Sequence, residues 1–471
     1  MNGLALSTEP DKESTLPSVE LTRHCENMRI YFLDHYFDLL TYLDERKKRL
    51  SQYQLLAIAE TSEVEKSKEW KRFCGKERVL LRKRRIRLRI SNFQIIKQIG
   101  QGGYGQVYLV QKKDTQEICA LKKMSKSLLH KLGEIKHILT ERDVLTKTQS
   151  PWLVKLLYAF QDMESVYLAM EYVPGGDFRT LLNASGVIHE HFAKFYFAEM
   201  CASVFALHKL GYIHRDLKPE NFLIDATGHI KLTDFGLSRG SLGPGYIEML
   251  HKKLEMVKSN TVQIQTASQR FNTYQTTRQD VRAFSLVGSP DYMSYEVLTQ
   301  ANSGYDLSVD YWSLGCILFE SLCGYPPFTA PTTDRVWVNL YNWEKVLARP
   351  IYEGKDSEFN LSDESWDLIT KLITYVNQRY RTPQEIKQHP FLTGIDFRNL
   401  RVPGAFEIPL IPILKNELDT TYFDDFTDPK DMALYADIKN KEKKLVDGSD
   451  VEVLQSAFVG FTFKYRNPSS N

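Results

Sequence analysis

The chain carries almost no excess charge: 61 Lys and Arg stand against 59 Asp and Glu in 471 residues. That balance argues against a bulk polyanion binder and against nucleic acid as a partner, so any basic patch has to be local. Cysteine is sparse. The six cysteines (Cys25, Cys74, Cys119, Cys201, Cys316, Cys323) include no C-x-x-C pair, which argues against a zinc ribbon and a disulfide framework and points to a reducing intracellular compartment. No apolar run approaches the length of a membrane span. The first residues carry Glu9, Asp11 and Glu13 where a signal peptide needs a basic flank and an apolar stretch, and Gly3 sits one place too late for myristoylation. Repeats and low-complexity tracts are absent. What is present, 42% hydrophobic and 12% aromatic residues, suffices for a large buried core.

The texture changes along the chain. Residues 1–21 read as a flexible polar tail with Pro10 and Pro17. From Thr22 to Leu56, Ile30, Leu33, Phe37, Leu40 and Leu43 recur at helical spacing. A second helical stretch, Ser62 to Ile90, holds eleven Lys or Arg between Lys68 and Arg89. From Phe93, short runs predict strands at Phe93–Ile99, Val107–Lys112, Ile118–Lys122, Leu153–Ala159 and Val166–Met170, with a helix over Glu134–Thr148. After Gly175-Gly176 helical patterns dominate to Phe391, and from Gly394 the chain is Pro-punctuated and irregular. A small sheet-rich lobe, a hinge and a larger helical lobe follow from this order.

Chemistry concentrates in His214-Arg215-Asp216-Leu217-Lys218-Pro219-Glu220-Asn221 and, thirteen residues after Asn221, Asp234-Phe235-Gly236. Phosphoryl transfer needs an acceptor for a hydroxyl proton and oxygens that hold Mg²⁺ against nucleotide phosphates. Asp216 supplies the first; Asn221 and Asp234 supply the second. Either motif alone occurs by chance, whereas the ordered, closely spaced pair does not. Lys218 is placed to neutralise charge on the transferring phosphoryl group, and it favours Ser/Thr over Tyr acceptors. Gly100, Gly102, Gly105 and Val107 fit a glycine-rich flap over ATP. A dinucleotide fold shares that spacing, but joins a strand to a helix, and here a second strand follows. Lys122, after Ala120 on the third strand, is expected to bind the α/β-phosphates and to pair with Glu141 nineteen residues on. Ile99, Ala120, Met170 and Glu171 are expected to line the adenine pocket. Asp177 and Glu220 read as acceptors for basic substrate residues; helix capping and surface charge are the plainer alternatives. Ser294-Tyr295-Glu296 stands where Ala-Pro-Glu is usual, with Arg379 as the expected partner of Glu296.

Together these motifs resemble the AGC group of Ser/Thr protein kinases, and within it the NDR/LATS branch. Three features narrow it: the basic helical segment ahead of the kinase domain, the long Gly240–Arg282 separation after Asp234-Phe235-Gly236, and Phe458-Val459-Gly460-Phe461-Thr462-Phe463 near the C-terminus. Val287-Gly288-Ser289-Pro290-Asp291-Tyr292-Met293 most resembles the fungal septation and mitotic-exit kinases. The resemblance implies an α+β, bilobal protein-kinase fold with an N-terminal helical extension and a C-terminal AGC-type tail. Its parts would be a Mob-binding region over 22–91, a kinase domain over 92–391 (small lobe 92–172, large lobe 173–391, insert 240–282) and a tail over 392–471. It implies ATP and Mg²⁺ as cofactors, a Mob-family coactivator and an upstream sterile-twenty-type kinase as partners, and substrates basic upstream of Ser/Thr. It makes Ser285 the activation-segment phosphosite, in a segment the insert would otherwise leave loose, and Thr462 the hydrophobic-motif phosphosite that docks Phe461 and Phe463 on the small lobe. Phe423 and Phe426 match the tail segment that approaches the nucleotide pocket. Cytoplasm, spindle pole body and division septum are the implied locations. For the basic segment an acidic protein partner is favoured over a solvated face, a nuclear signal or an anionic-membrane patch. An active enzyme is favoured over a kinase-shaped scaffold, because Lys122, Glu141, Asp216, Asn221 and Asp234 are all retained.

Overall fold

The computed structural model describes residues 32, 36, 39–40, 42–55, 62–85, 88–102, 105–236, 244–281, 290–299, 306–353, 357, 359–426, 457–458 and 461–464. The chain divides into two compact units, Met1–Leu88 with Asp450–Gly460, and Arg89–Ser449 with Phe461–Asn471. In the first, helix α1 covers 42–55 and helix α2 covers Glu63–Arg85. They are tied by Arg49, whose Nε donates to Glu77 Oε1 at 2.6 Å, and by the stacked rings of Tyr53, Trp70 and Phe73. Glu77, an acid within the basic stretch, is thereby engaged by α1 and not by its basic neighbours; Arg82 stays exposed.

The second unit opens on an antiparallel sheet: β1 (Phe93–Gly102), β2 (Gly105–Lys112), β3 (Ile118–Ser125), β4 (Leu156–Gln161) and β5 (Ser165–Glu171), in the order β1-β2-β3-β5-β4. Predicted and observed strands overlap throughout, but the fourth begins at Leu156: Val154 and Lys155 lie outside it, and Leu153 makes only an isolated parallel bridge to Leu232. The sequence reading also missed helix α3 (Lys126–Lys131), capped by Ser125. Helix α4 (Ile135–Lys147) follows. The glycine-rich segment is a hairpin, with Gly100 opposite Val107 and Gly102 opposite Gly105, so the strand-to-helix alternative falls away.

The rest is helical: α5 (Phe178–Ser185), α6 (Glu190–Lys209), α7 (Pro244–Lys258), α8 (Ala267–Val281), α9 (Tyr295–Thr299), α10 (Ser308–Cys323), α11 (Thr333–Tyr341), α12 (Trp343–Val346), α13 (Asp363–Leu372) and α14 (Pro383–Lys387). Between α6 and α7 lies a two-stranded ribbon, β6 (Phe222–Ile224) with β7 (Ile230–Leu232), which carries the catalytic loop. Every residue of α10 is buried. A helix apolar on all sides can only be a central one, and α10 is the axis on which this lobe is built.

Two features add detail that the sequence did not give. Within 240–282, inside the range where helical patterns were expected, α7 and α8 are packed helices. Leu250 and Val257, seven apart, and Arg270 and Tyr274, four apart, are buried at helical spacing. Arg270 donates to Pro327 O at 3.1 Å and Val346 O at 2.7 Å, carbonyls beside α11 and α12. The tail also returns to the sheet, where Phe463–Lys464 (β8) pairs with β4, Ala159 opposite Phe463, and covers its edge.

Candidate active site

The catalytic loop is held from beneath. Asp310, in the first turn of α10, accepts the backbone N–H groups of His214 and Arg215, each at 2.8 Å, and bonds His208 Nε2 at 2.7 Å. Burial opposes charge on Asp310, but these bonds win and keep its carboxyl below the ordinary range. The loop can then bear local strain: Arg215 sits at φ +72° and Asp234 at φ +62°, unfavourable for residues with a Cβ. The His214 ring meets the buried Phe235 ring edge-on at 5.8 Å, linking the two motifs through the core.

The predicted chemical groups converge. Lys218 Nζ donates to Asp216 Oδ2 at 2.8 Å, and Asn221 Nδ2 donates to Asp216 O at 2.7 Å. Lys122 Nζ reaches Glu141 Oε1 and Oε2 at 2.8 and 3.0 Å and Asp234 Oδ1 at 3.4 Å. Burial works against the Lys122 and Lys218 charges, yet both amines are raised above the usual lysine range. Glu141 and Asp234 hold the first, Asp216 and Glu220 the second. Lys122 in turn depresses the Asp234 carboxyl.

The nucleotide flap has its own logic. A Cβ on Gly105 would stand 1.9 Å from Lys123 O, so this glycine is required where β2 crosses close to β3, before any phosphate is considered. Gly102 meets nothing so near. Ile99 and Met170 are buried, Val107 and Ala120 half-buried, with Ala120 opposite Met170 across β3 and β5. The Glu171 side chain turns away to accept from Lys155 N and Lys231 Nζ, each at 2.9 Å, leaving only its backbone for an adenine edge. The hinge is overlaid by the tail: Phe423 packs on Tyr172 at 5.7 Å, and a Cβ on Gly176 (φ +75°) would lie 2.8 Å from Tyr422 O. In the hydrophobic motif, Phe461 is buried beneath the Arg142 guanidinium at 5.8 Å, next to Glu141, while Thr462 is exposed. Ser285 lies outside the described residues, and so does Ser289, which the resemblance places in the substrate-docking loop as a contact of Asp216.

The substrate-facing acids are more occupied than the sequence suggests. Asp177 caps α5, accepting from Thr180 N at 2.7 Å and Thr180 Oγ1 at 2.8 Å. Burial, reinforced by Glu220, pushes its carboxyl up to about 6. Glu220 Oε1 accepts from Arg179 Nε at 3.0 Å. Sequence reasoning gave no role to Arg179, Tyr274 or Glu320. Nothing local marks them, because their partners are 41 to 141 positions away. The Glu296–Arg379 pair is present, at 2.5 and 3.0 Å.

The protein kinase domain family matches residues 93–249 and 269–392, and the protein kinase C terminal domain family matches 414–463. The chain is a protein kinase. It is 47% identical over 98% of its length to serine/threonine-protein kinase sid2 of Schizosaccharomyces pombe, covering 76% of that protein. It is 49% identical over 93% of its length to serine/threonine-protein kinase DBF20 of Saccharomyces cerevisiae, covering 78% of it, and 47% identical over 93% to cell cycle protein kinase DBF2 of the same yeast, covering 77%. This kinase therefore belongs to the NDR/LATS branch of the AGC Ser/Thr kinases, with the bilobal α+β fold and the AGC tail. The unmatched stretch within the kinase domain, 250–268, falls in the insert that carries α7 and α8. The family uses ATP. Among the described residues no helix is long and apolar enough to cross a membrane.

Proposed function

We propose that this kinase transfers the ATP γ-phosphate, with Mg²⁺, to Ser/Thr in a basic context, under a Mob-family coactivator bound through 22–91. The observation that carries the reading is the pairing of Lys122 with Glu141 and Asp234, assembled beside Asp216–Lys218. Asp216 accepts the hydroxyl proton as the oxygen attacks. Lys218 fixes the Asp216 carboxylate and offers its charge to the phosphoryl oxygens, and Lys122 anchors the phosphates upstream. Among the described residues no three-residue acid, histidine or cysteine cluster could hold a metal alone. Asp234, half exposed, and Asn221, whose Nδ2 is engaged so that Oδ1 is left as acceptor, are a two-ligand oxygen set that fits Mg²⁺ shared with phosphates and water. When bound, that ion supplies neutralising charge across the phosphates.

The name of the relative DBF2 carries the kinase into the cell cycle, and the branch resemblance makes septation, cytokinesis and mitotic (or meiotic and sporulation) exit its setting. Cytoplasm, spindle pole body and septum are the corresponding locations, with a sterile-twenty-type kinase upstream and Ser285 and Thr462 as regulatory phosphosites. The buried Phe461 beneath Arg142 supports the second, since it ties the tail to α4, the helix that presents Glu141.

The test is phosphorylation of an oriented peptide library by the full chain, with and without a purified Mob protein. The parent should select arginine upstream of the acceptor and respond to Mob. Asp216→Asn should bind ATP and transfer nothing. Reversing Arg82, Arg84 and Arg85 to Glu should abolish Mob co-purification. Equal turnover by Asp216→Asn, or Mob binding that survives charge reversal, overturns the corresponding part.

A further inference from the structure

Arg179 is the most heavily partnered cation near the catalytic loop. Its Nη1 and Nη2 donate to Glu320 Oε1 and Oε2 at 2.5 and 3.3 Å, its Nε to Glu220 Oε1 at 3.0 Å, and its Nη1 to Tyr274 Oη at 2.8 Å. Nη2 also donates to Tyr292 Oη. Tyr274 and Tyr292 each donate in turn to Glu320, at 2.7 and 2.5 Å. The side chain is 11% exposed and that of Glu320 is 2% exposed. Four separate segments meet on this guanidinium: the catalytic loop through Glu220, α10 through Glu320, the loop before α9 through Tyr292, and the insert through Tyr274.

Two carboxylates and two hydroxyls around one guanidinium are the arrangement that would capture an arginine from a bound peptide. Here the arginine belongs to the enzyme. Glu220 lies four residues after Asp216, at the acceptor end of the peptide path, so a basic substrate side chain near the reacting hydroxyl would be drawn to this same pair. Glu220 Oε2 is shut away from solvent with no hydrogen-bond partner among the described residues. The Glu220 side chain is 41% exposed, but Oε1 is held by Arg179 and Oε2 is buried, so a substrate group gains the whole carboxylate only if the cage around Arg179 opens.

We infer that Arg179 is a built-in substitute for a substrate arginine: it fills the Glu220–Glu320 carboxylate pair, Tyr274 of the insert latches it there, and the kinase consequently reads one upstream arginine instead of two. The inference rests on the proposed reading of this groove as the basic-peptide site, with Asp177 left as the reader. It makes Arg179 a specificity-determining positioning residue, and gives the docked insert a part in substrate choice.

The test is a positional-scanning peptide array, with arginine walked through each upstream position, run on the full chain, on Arg179→Met and on Tyr274→Phe. The parent should select arginine at a single position. Arg179→Met should gain a second position, with a preference of roughly tenfold or more, the usual strength of a charge-assisted hydrogen bond. Tyr274→Phe, which keeps every charge, should gain the same position more weakly. If Arg179→Met does not fold, Arg179→Met/Glu320→Gln removes one stranded carboxylate and is read on the same array through Glu220. A folded Arg179 variant with the parent's profile overturns the inference, as does a parent already selective at two positions. A parent indifferent to arginine at every position refutes the basic-peptide reading itself, which separates the two failures.

Discussion

Glu296→Ala should cost this kinase about 3–5 kcal/mol, the usual consequence of stranding a buried charge. The guanidinium of Arg379 has no access to solvent at all. It makes five hydrogen bonds: two to Glu296, two to Thr374 O at 2.7 and 3.2 Å, and one to Ser308 O at 3.0 Å. It also lies 5.1 Å from the centre of the Trp312 ring, on the central helix. Removing Glu296 leaves carbonyl dipoles and a ring face as its surroundings, neither of which neutralises a full charge. Against a total stability of about 5–15 kcal/mol the loss is large, and for a domain of about 300 residues it corresponds to a fall in Tm of about 5–8 °C. Glu296→Gln, which keeps one acceptor and the side-chain volume, should lose less. Thermal unfolding of parent and both variants measures this, and peptide KM measured alongside should rise, because Glu296 anchors α9 just beyond the docking loop. A Tm within about 2 °C of the parent for Glu296→Ala would refute the reasoning. The unusual Ser294-Tyr295 does not weaken the anchor: Tyr295 packs its ring against Tyr341 and Tyr375, each at 6.1 Å.

Asp177 gives a pH signature. Its carboxyl is raised from 3.8 to about 6, so the folded state holds a proton that the unfolded state has already released between those values. Its contribution to stability is full below 3.8 and is lost as pH rises through 6. Selection for a substrate arginine runs the opposite way, failing as pH falls below about 6, and Asp177→Asn, an equally good helix cap, should hold Tm while losing that selection. A selectivity profile flat from pH 5 to 8 would count against Asp177 as the reader. Arg270→Ala should release α8, since it strands Pro327 O and Val346 O and empties a buried site, at a cost of about 2–4 kcal/mol. Hydrogen exchange over 267–281 reads this directly, and unchanged protection there would refute the docking role.

Much of the active site was legible in one dimension because phosphoryl transfer fixes residue types at fixed spacings. Asp216, Lys218 and Asn221 lie within six residues on one loop, and Asp234-Phe235-Gly236 follows after one short ribbon. The Lys122–Glu141 pair was legible too, since strand alternation points Lys122 inward and the helix after it must bring an acid back. Period and punctuation likewise placed the five strands and the hinge. The sequence had no means of showing what distant segments do to one another. The insert reads as a long separation with helical patterning, and only packing on the large lobe shows that Leu250, Val257, Arg270 and Tyr274 are its buried face. Glu220 reads as a free acid until Arg179 is seen to hold it. Gly105 reads as a phosphate-loop glycine until the approach of Lys123 O shows a second reason for it. Spacing along the chain determines local chemistry, because neighbouring residues share one backbone geometry. Which charges are cancelled, and which faces are covered, depends on groups brought together from far apart, and that is decided only when the chain folds.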